Sequence, residues 1–213
     1  MTIKLQPLAV GITLALGVGA AQAQENVFKA GPIFYQSHSQ TTGIQGIGIP
    51  PGADAEVGNA WTLLLTYERL IRPDFGIELV LGVPPTIESK GSGTTAFLGD
   101  NILSAKTVSP TLLFNYHFGA PGDTWRPYVG LGINYTRFTS VESKLASSVQ
   151  LSDSVGLAGQ VGIDYFFDKN WGAFASIAAA KVKSDLIAVE STVLTTTIDF
   201  RPITYAFGVS YRF

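Results

Sequence analysis

The segment TYAFGVSYRF, residues 204–213, alternates between two kinds of side chain. Small or polar residues stand between the large apolar ones, which are Tyr205, Phe207, Val209, Tyr211 and Phe213. A period of two predicts a β-strand with one apolar face. Chain ends of soluble domains usually fray into water and are polar, so an apolar strand at this place indicates a non-aqueous environment.

The same alternation recurs along the chain and predicts eight strands in all. Five further runs are regular and two are less so; together they cover residues 27–36, 61–67, 75–81, 112–118, 129–135, 155–167 and 171–183. The connections alternate between short turns rich in Pro, Gly, Asp and Asn and four long segments at 39–58, 85–104, 140–152 and 186–197. This arrangement is typical of bacterial outer-membrane barrels. The predicted fold is therefore all-β, an eight-stranded antiparallel transmembrane β-barrel with short periplasmic turns and long extracellular loops.

A soluble up-and-down barrel of the lipocalin type has the same periodicity with its apolar face turned inward. Three features favour the membrane. Only 14% of residues are charged, against about 25% in soluble domains. The faces opposite the apolar ones are rich in Gly, Ser and Thr, which suits a narrow lumen. Aromatic residues cluster beside the turns, as in interfacial girdles.

The first 23 residues read as a secretory signal peptide. Lys4 precedes an apolar run that is too short to span a bilayer, and Ala21 and Ala23 form a small-x-small cleavage site. We therefore expect residues 1–23 to be cleaved, residues 24–213 to form the barrel, and the protein to reside in the bacterial outer membrane.

Little in the sequence points to catalysis. There is no cysteine, and the two histidines, His38 and His117, are predicted at opposite ends of the barrel. We expect no enzymatic activity, no cofactor and no metal site. A net charge of -2 gives no basic face for nucleic acid.

Two groups of inward-facing residues are candidate functional residues. A charged group near the short turns comprises Glu68, Glu78, His117, Arg126, Asp164 and Arg212. These residues form either a plug that closes the periplasmic end or ordinary salt bridges at a solvated mouth. Farther up, Leu64, Val80 and Leu113 are predicted to line an apolar lumen, which suits either a small hydrophobic molecule or simple core packing.

Four segments carry a resemblance to a known family: SPTLLFNYHFG at 109–119, RPYVGLGINYTRF at 126–138, VGIDYFFDKNWG at 161–172, and the closing YRF. With the signal peptide, they resemble the OmpW family of outer-membrane proteins, which includes the alkane-importing AlkL proteins. The resemblance implies a hydrophobic channel that opens at the cell surface, is blocked toward the periplasm, and releases small apolar molecules sideways into the membrane. It implies no catalytic residues.

The first hypothesis is thus a channel for passive uptake of small hydrophobic molecules, with outer-membrane lipids and such solutes as partners. A structural or adhesive barrel whose loops bind a surface partner is the alternative, and a membrane-embedded lipid-modifying enzyme is the third. By resemblance to other outer-membrane proteins, Tyr211 and Phe213 are expected to form a signal for the barrel-assembly machinery.

Overall fold

The computed structural model describes residues 25–45, 51–100, 102–143, 148–189 and 193–213. The predicted signal peptide lies outside the described residues. A single 3₁₀ turn among the described residues covers Ala96–Leu98. The strands are, in chain order, β1 (Asn26–Gln36), β2 (Gln40–Thr41), β3 (Ala53–Val57), β4 (Ala60–Arg72), β5 (Phe75–Gly82), β6 (Thr86–Gly93), β7 (Leu103–Val108), β8 (Thr111–His117), β9 (Trp125–Ser143), β10 (Ser148–Leu151), β11 (Ser154–Phe166), β12 (Trp171–Ala180), β13 (Val182–Val189), β14 (Val193–Phe200) and β15 (Ile203–Arg212).

In the described part of the chain, eight of these strands close into an antiparallel barrel, which confirms the predicted fold class. Their order around the wall is β1, β4, β5, β8, β9, β11, β12 and β15, and β15 pairs back onto β1. The first and last strands also exchange backbone hydrogen bonds at the short-turn end, between Asn26 and Phe213. Closure leaves no unpaired strand edge in the hydrocarbon region of the membrane.

The long connections differ from the sequence-based expectation of loops. Strands β3, β6 and β7 continue the barrel wall upward, while β2, β10, β13 and β14 form a separate four-stranded sheet on the rim. The physical reason is that backbone N–H and C=O groups in long connections still need partners, and the Val, Ile and Thr residues there favour strand pairing. Much of the described rim is thus an extension of the barrel.

The two faces of the wall differ as the alternation predicts. Outward-facing residues such as Leu131 and Leu157 are 75% exposed, whereas the inward-facing Leu113 is 1% exposed. The outer face is apolar because it contacts lipid. No helix in the described residues is long and apolar enough to cross a membrane.

Aromatic rings gather at the short-turn end of the outer face. Phe28 stacks on Phe213 with 5.8 Å between ring centroids, and Trp171 lies 4.8 Å from Tyr211. Such rings anchor a barrel at the level of the lipid headgroups. The closing strand therefore lies in the wall and its last aromatic residues lie at an interface.

The two backbones approach closely at the seam between β1 and β15. A Cβ atom on Gly31 would lie 2.0 Å from the Phe207 carbonyl oxygen, and one on Gly208 would lie 2.1 Å from the Ala30 carbonyl oxygen. Both distances are far below van der Waals contact, so only glycine permits the two backbones to approach this closely.

Candidate functional site

A buried group of polar side chains crosses the lower lumen. We name it the polar cluster; it consists of Lys29, Glu68, Glu78, Asn115, His117, Tyr128, Gln160 and Asp164. All eight are buried, and six different barrel strands contribute them. Each side chain points inward because it occupies an alternate position on its strand.

Lys29 is the central cation of the polar cluster. Its Nζ lies 3.1 Å from Asp164 Oδ1 and 3.7 Å from Glu68 Oε2. The ammonium also lies 4.0 Å from the centroid of the Tyr128 ring, a cation–π contact. Lys29 thereby joins strands β1, β4, β9 and β11 through one charge.

Hydrogen bonds join the remaining members. His117 Nε2 donates to Glu68 Oε1 at 2.7 Å. Asn115 Nδ2 donates to Glu68 Oε1 at 2.9 Å and to Glu78 Oε2 at 2.8 Å. Gln160 Nε2 donates both to Glu78 Oε2 and to Asn115 Oδ1. The cluster therefore spans the lumen continuously from β4 to β11.

Arg126 and Arg212 form a second layer nearer the short turns. Each has a guanidinium nitrogen 3.7 Å from Glu25 Oε2. Arg126 also donates to the Pro73 carbonyl oxygen at 2.7 Å, and Arg212 lies 4.1 Å over the Phe166 ring. The two guanidinium groups thus have Glu25 as their common carboxylate partner.

The structure brings together four of the six charged residues proposed from sequence, namely Glu68, Glu78, His117 and Asp164. It places Arg126 and Arg212 in the separate lower layer, where neither forms an ion pair with those acids within the described residues.

Sequence reasoning missed five contributors: Glu25, Lys29, Asn115, Tyr128 and Gln160. The signal for Lys29 was present in the alternation of Val27, Lys29 and Gly31 on one face. It was obscured because β1 contains both glycine and proline and its two faces are less distinct. Asn115, Tyr128 and Gln160 lie at inward positions of regular strands, but they are uncharged, so alternation alone does not group them with the charged residues.

An apolar layer lies directly above the polar cluster. Ile33, Leu64, Phe174 and Ala206 pack together, with Val80 against them. Leu64 and Val80 thus take part in this packing, and together with Leu113 they line the lowest cavity of the lumen. That cavity also reaches the polar cluster, because Lys29, Glu78 and Gln160 line it.

Three cavities follow one another upward from the polar cluster, with volumes of about 100, 70 and 80 Å³. Tyr35 and Thr107 line both the first and the second, while Leu103 and Ile198 line both the second and the third. Shared walls place the cavities in a column that leads toward the rim. Most of the second cavity's lining is apolar: Val57, Pro85, Ile87, Leu103, Ala105, Phe138, Leu151, Val182, Ile198, Phe200 and Pro202.

The barrel wall is interrupted beside the first cavity. Strand β5 pairs with β8 as far as Val80 and Thr111, and pairing resumes higher up where the Thr107 backbone N–H donates to the Pro85 carbonyl oxygen at 3.1 Å. Between these points lie Pro84 and Pro110, which have no N–H to donate to a ladder. The local sequence thus prevents regular pairing.

The interruption lies in the wall of the first cavity. Leu81, Gly82 and Val83 are exposed on the outside of the barrel, and all three also line that cavity.

We expect Asn115→Leu to lower the free energy of unfolding by about 1.5–3 kcal/mol, because hydrogen bonds to two buried carboxylates are lost. Urea unfolding followed by tryptophan fluorescence measures this. Asn59→Leu, at an exposed rim position, is the control and should change the midpoint less. Equal midpoints for Asn115→Leu and the wild type would contradict a stabilising cluster.

The histidines do not meet. His38 is exposed, whereas His117 is buried in the polar cluster. Among the described residues, no group of three or more His, Asp or Glu side chains has a metal-binding arrangement.

Comparisons with known proteins place the chain among outer-membrane barrels. The family model described as "OmpW family" matches residues 22–213. Outer membrane protein W of Escherichia coli is 35% identical over 178 residues, covering 79% of each chain. The dibenzothiophene metabolism operon protein PahQ of Pseudomonas aeruginosa is 31% identical over 144 residues, covering 67% of this chain and 65% of PahQ. The crystal structure of OprG from Pseudomonas aeruginosa superposes with a TM-score of 0.81 at 25% identity, covering 90% of this chain and 96% of OprG.

Proposed function

The chain belongs to the OmpW family of outer-membrane proteins, and from this membership we propose that it is a channel for passive uptake of small hydrophobic molecules. The observation that carries the proposal is the column of three cavities that leads from the polar cluster toward the rim, with mostly apolar linings in the second and third. A solute would enter at the rim, pass down this column and leave sideways through the interruption between β5 and β8. Such a channel is not an enzyme.

The polar cluster supports sideways rather than downward exit. In this proposal it acts as a plug together with the lower layer, so that Glu68, Glu78, His117, Asp164 and the two arginines close the periplasmic end. An apolar solute that moved through it would have to separate buried ion pairs. This costs several kcal/mol for each buried charge that loses its partner. Leaving between β5 and β8 separates none of them.

The driving force needs no energy source. An apolar solute gains about 25 cal/mol for each Å² of its surface that leaves water. Leu64, Val80 and Leu113 would line the part of this path closest to the exit. The lumen thus serves as an apolar passage from water to the hydrocarbon interior of the membrane.

Two similarities agree with this solute class. The name of PahQ places that protein in an operon for metabolism of dibenzothiophene, which is an apolar aromatic compound. The resemblance to the alkane-importing AlkL proteins points to the same chemistry. We extend that chemistry to this chain as part of the proposal.

The test is to fill the lumen. Ala178 faces inward and lines the first cavity, while Ala175, three residues away on β12, faces lipid. We expect Ala178→Trp to lower the rate of hydrophobic-solute uptake at least tenfold, because the indole occupies a cavity of only about 100 Å³. Ala175→Trp should leave the rate unchanged.

Uptake is measured in liposomes across a series of small apolar solutes, with empty liposomes as the baseline. Heat-modifiable migration in gels confirms that both variants fold. If the wild type is no faster than empty liposomes, the channel proposal fails. If both tryptophan variants are equally fast, the path does not run through this cavity.

A further inference from the structure

Cationic side chains project outward just above the apolar band on one side of the barrel. We name this group the cationic collar; it comprises Lys106, Arg137, Lys181, Lys183 and Arg201. All five are exposed. They lie on β7, β9 and β13, on the connection from β12 to β13 and on the connection from β14 to β15.

Alternation fixes the height of the collar relative to the membrane. On β9 the outward positions run through Leu131, Ile133 and Tyr135 and then reach Arg137. On β12 they run through Ile177 and Ala179, and the next outward residue is Lys181. Each strand thus passes directly from lipid-facing residues to a cation, at the level where lipid headgroups lie.

The cations are close to one another across the strands. Val108 is registered opposite Arg137, so Lys106, the next outward residue on β7, is its diagonal neighbour. Lys183 is registered opposite Asp199, which accepts a hydrogen bond from Arg201 at 2.8 Å. The pKa of Asp199 is lowered, first by that hydrogen bond and further by the nearby charges of Lys183 and Lys181.

The collar contains more cations than there are carboxylates to pair with them. Four carboxylates lie on or beside its strands: Glu142 is exposed on β9, while Asp153, Asp185 and Asp199 accept hydrogen bonds from Tyr135, Thr197 and Arg201 respectively. Among the described residues, no ion pair within 4.0 Å involves Lys106, Lys181 or Lys183. These three ammonium groups are therefore available to an external anion.

The opposite side of the barrel lacks this feature. On β1 and β4 the corresponding outward ends carry His38 and Asn59, and on β5 Val83. In the described part of β1, β4 and β5, every Lys or Arg either faces the lumen or lies near the short turns. If the rim were basic in general, cations would surround the mouth on all sides. Their placement on one side therefore indicates a specific site.

We propose that the cationic collar binds the phosphate groups of the phosphorylated glycolipid in the outer leaflet. Basic side chains next to the apolar band face anionic headgroups within a Debye length and attract them. Lysine and arginine hydrogen-bond phosphate oxygens through charge-assisted contacts, while the acyl chains of the same lipid lie against the apolar wall below. One lipid molecule thus contacts both surfaces.

The test measures lipopolysaccharide binding to the folded barrel in a neutral detergent. The variant Arg137→Gln/Lys181→Gln/Lys183→Gln is expected to raise the apparent Kd at least tenfold. The matched control, Arg72→Gln/Lys90→Gln/Lys169→Gln, removes three exposed charges elsewhere and should leave the Kd within about twofold of wild type. Dephosphorylated lipopolysaccharide should bind the wild type as weakly as intact lipid binds the collar variant.

Three outcomes would overturn the proposal. The collar variant could bind as tightly as the wild type. The wild type could bind the dephosphorylated lipid as tightly as the intact lipid. Inorganic phosphate at the same phosphate concentration could displace the lipid completely, which would identify an anion site with no lipid component. The comparison of lipids on the wild type is independent of whether any variant folds.

Discussion

Replacing Lys29 with methionine is expected to lower the free energy of unfolding by about 3–5 kcal/mol. Methionine keeps the length of the side chain but removes its charge. Glu68 and Asp164, both buried, then lose the cation that lies between them. The loss exceeds that of a surface ion pair because water cannot solvate the remaining carboxylates.

The measurement is urea unfolding in detergent micelles, with heat-modifiable migration as a second readout. Lys169→Met, on an exposed turn, is the control and should change stability by less than about 0.5 kcal/mol. Adding Asp164→Asn to Lys29→Met should recover part of the loss, since one unpaired charge is removed. An unchanged midpoint for Lys29→Met would show that water solvates the cluster.

Gly208→Val is expected to prevent closure of the barrel. The new Cβ would lie 2.1 Å from the Ala30 carbonyl oxygen, a backbone atom that cannot rotate away. Strands β1 and β15 must then separate, which breaks the strand pairing that closes the barrel. We expect the folded, heat-modifiable species to fall below about a tenth of the wild-type yield.

Gly159→Ala is the matched control for this substitution. Its nearest neighbour would be Leu131 Cδ2 at 3.3 Å, the end of a flexible side chain. It should fold with wild-type yield. If Gly208→Val folds as well as Gly159→Ala, the two backbones at the seam are not in contact.

The wall of this barrel was predictable from sequence because its physics is local. Whether Leu131 faces lipid and Leu113 faces the lumen follows from period-two alternation within one strand. The short turns followed from residues such as Pro73 and Asp74, whose preferred conformations are also local.

The polar cluster was only partly predictable because its contacts join distant parts of the chain. Inward placement of Glu68 and Asp164 follows from alternation, but their pairing with Lys29 depends on the stagger of strands around the barrel. Stagger is a property of the closed ring and not of any one segment. The same reason explains why Glu25, and no acid of the cluster, pairs with Arg126.

The strand content of the rim was not predicted, partly for a related reason. Segment 85–104 has the Gly and Ser content of a loop, and its strand character appears only when β6 and β7 lie beside each other. Segment 186–197 has no Gly and is rich in Val, Leu, Ile and Thr, so its pairing as β13 and β14 agrees with its own strand propensity. Composition describes a segment alone, whereas pairing depends on its neighbour.

The seam between β1 and β15 also has a kinetic consequence. The strands that complete the ring come from opposite ends of the polypeptide, so the first strand synthesised must wait for the last. Contacts of such long sequence separation form slowly, because nearly the whole chain must be brought together first. Until then both edges are open and prone to pair with other chains. Successful biogenesis therefore requires that the nascent protein be kept apart from its own copies until its final residues are available.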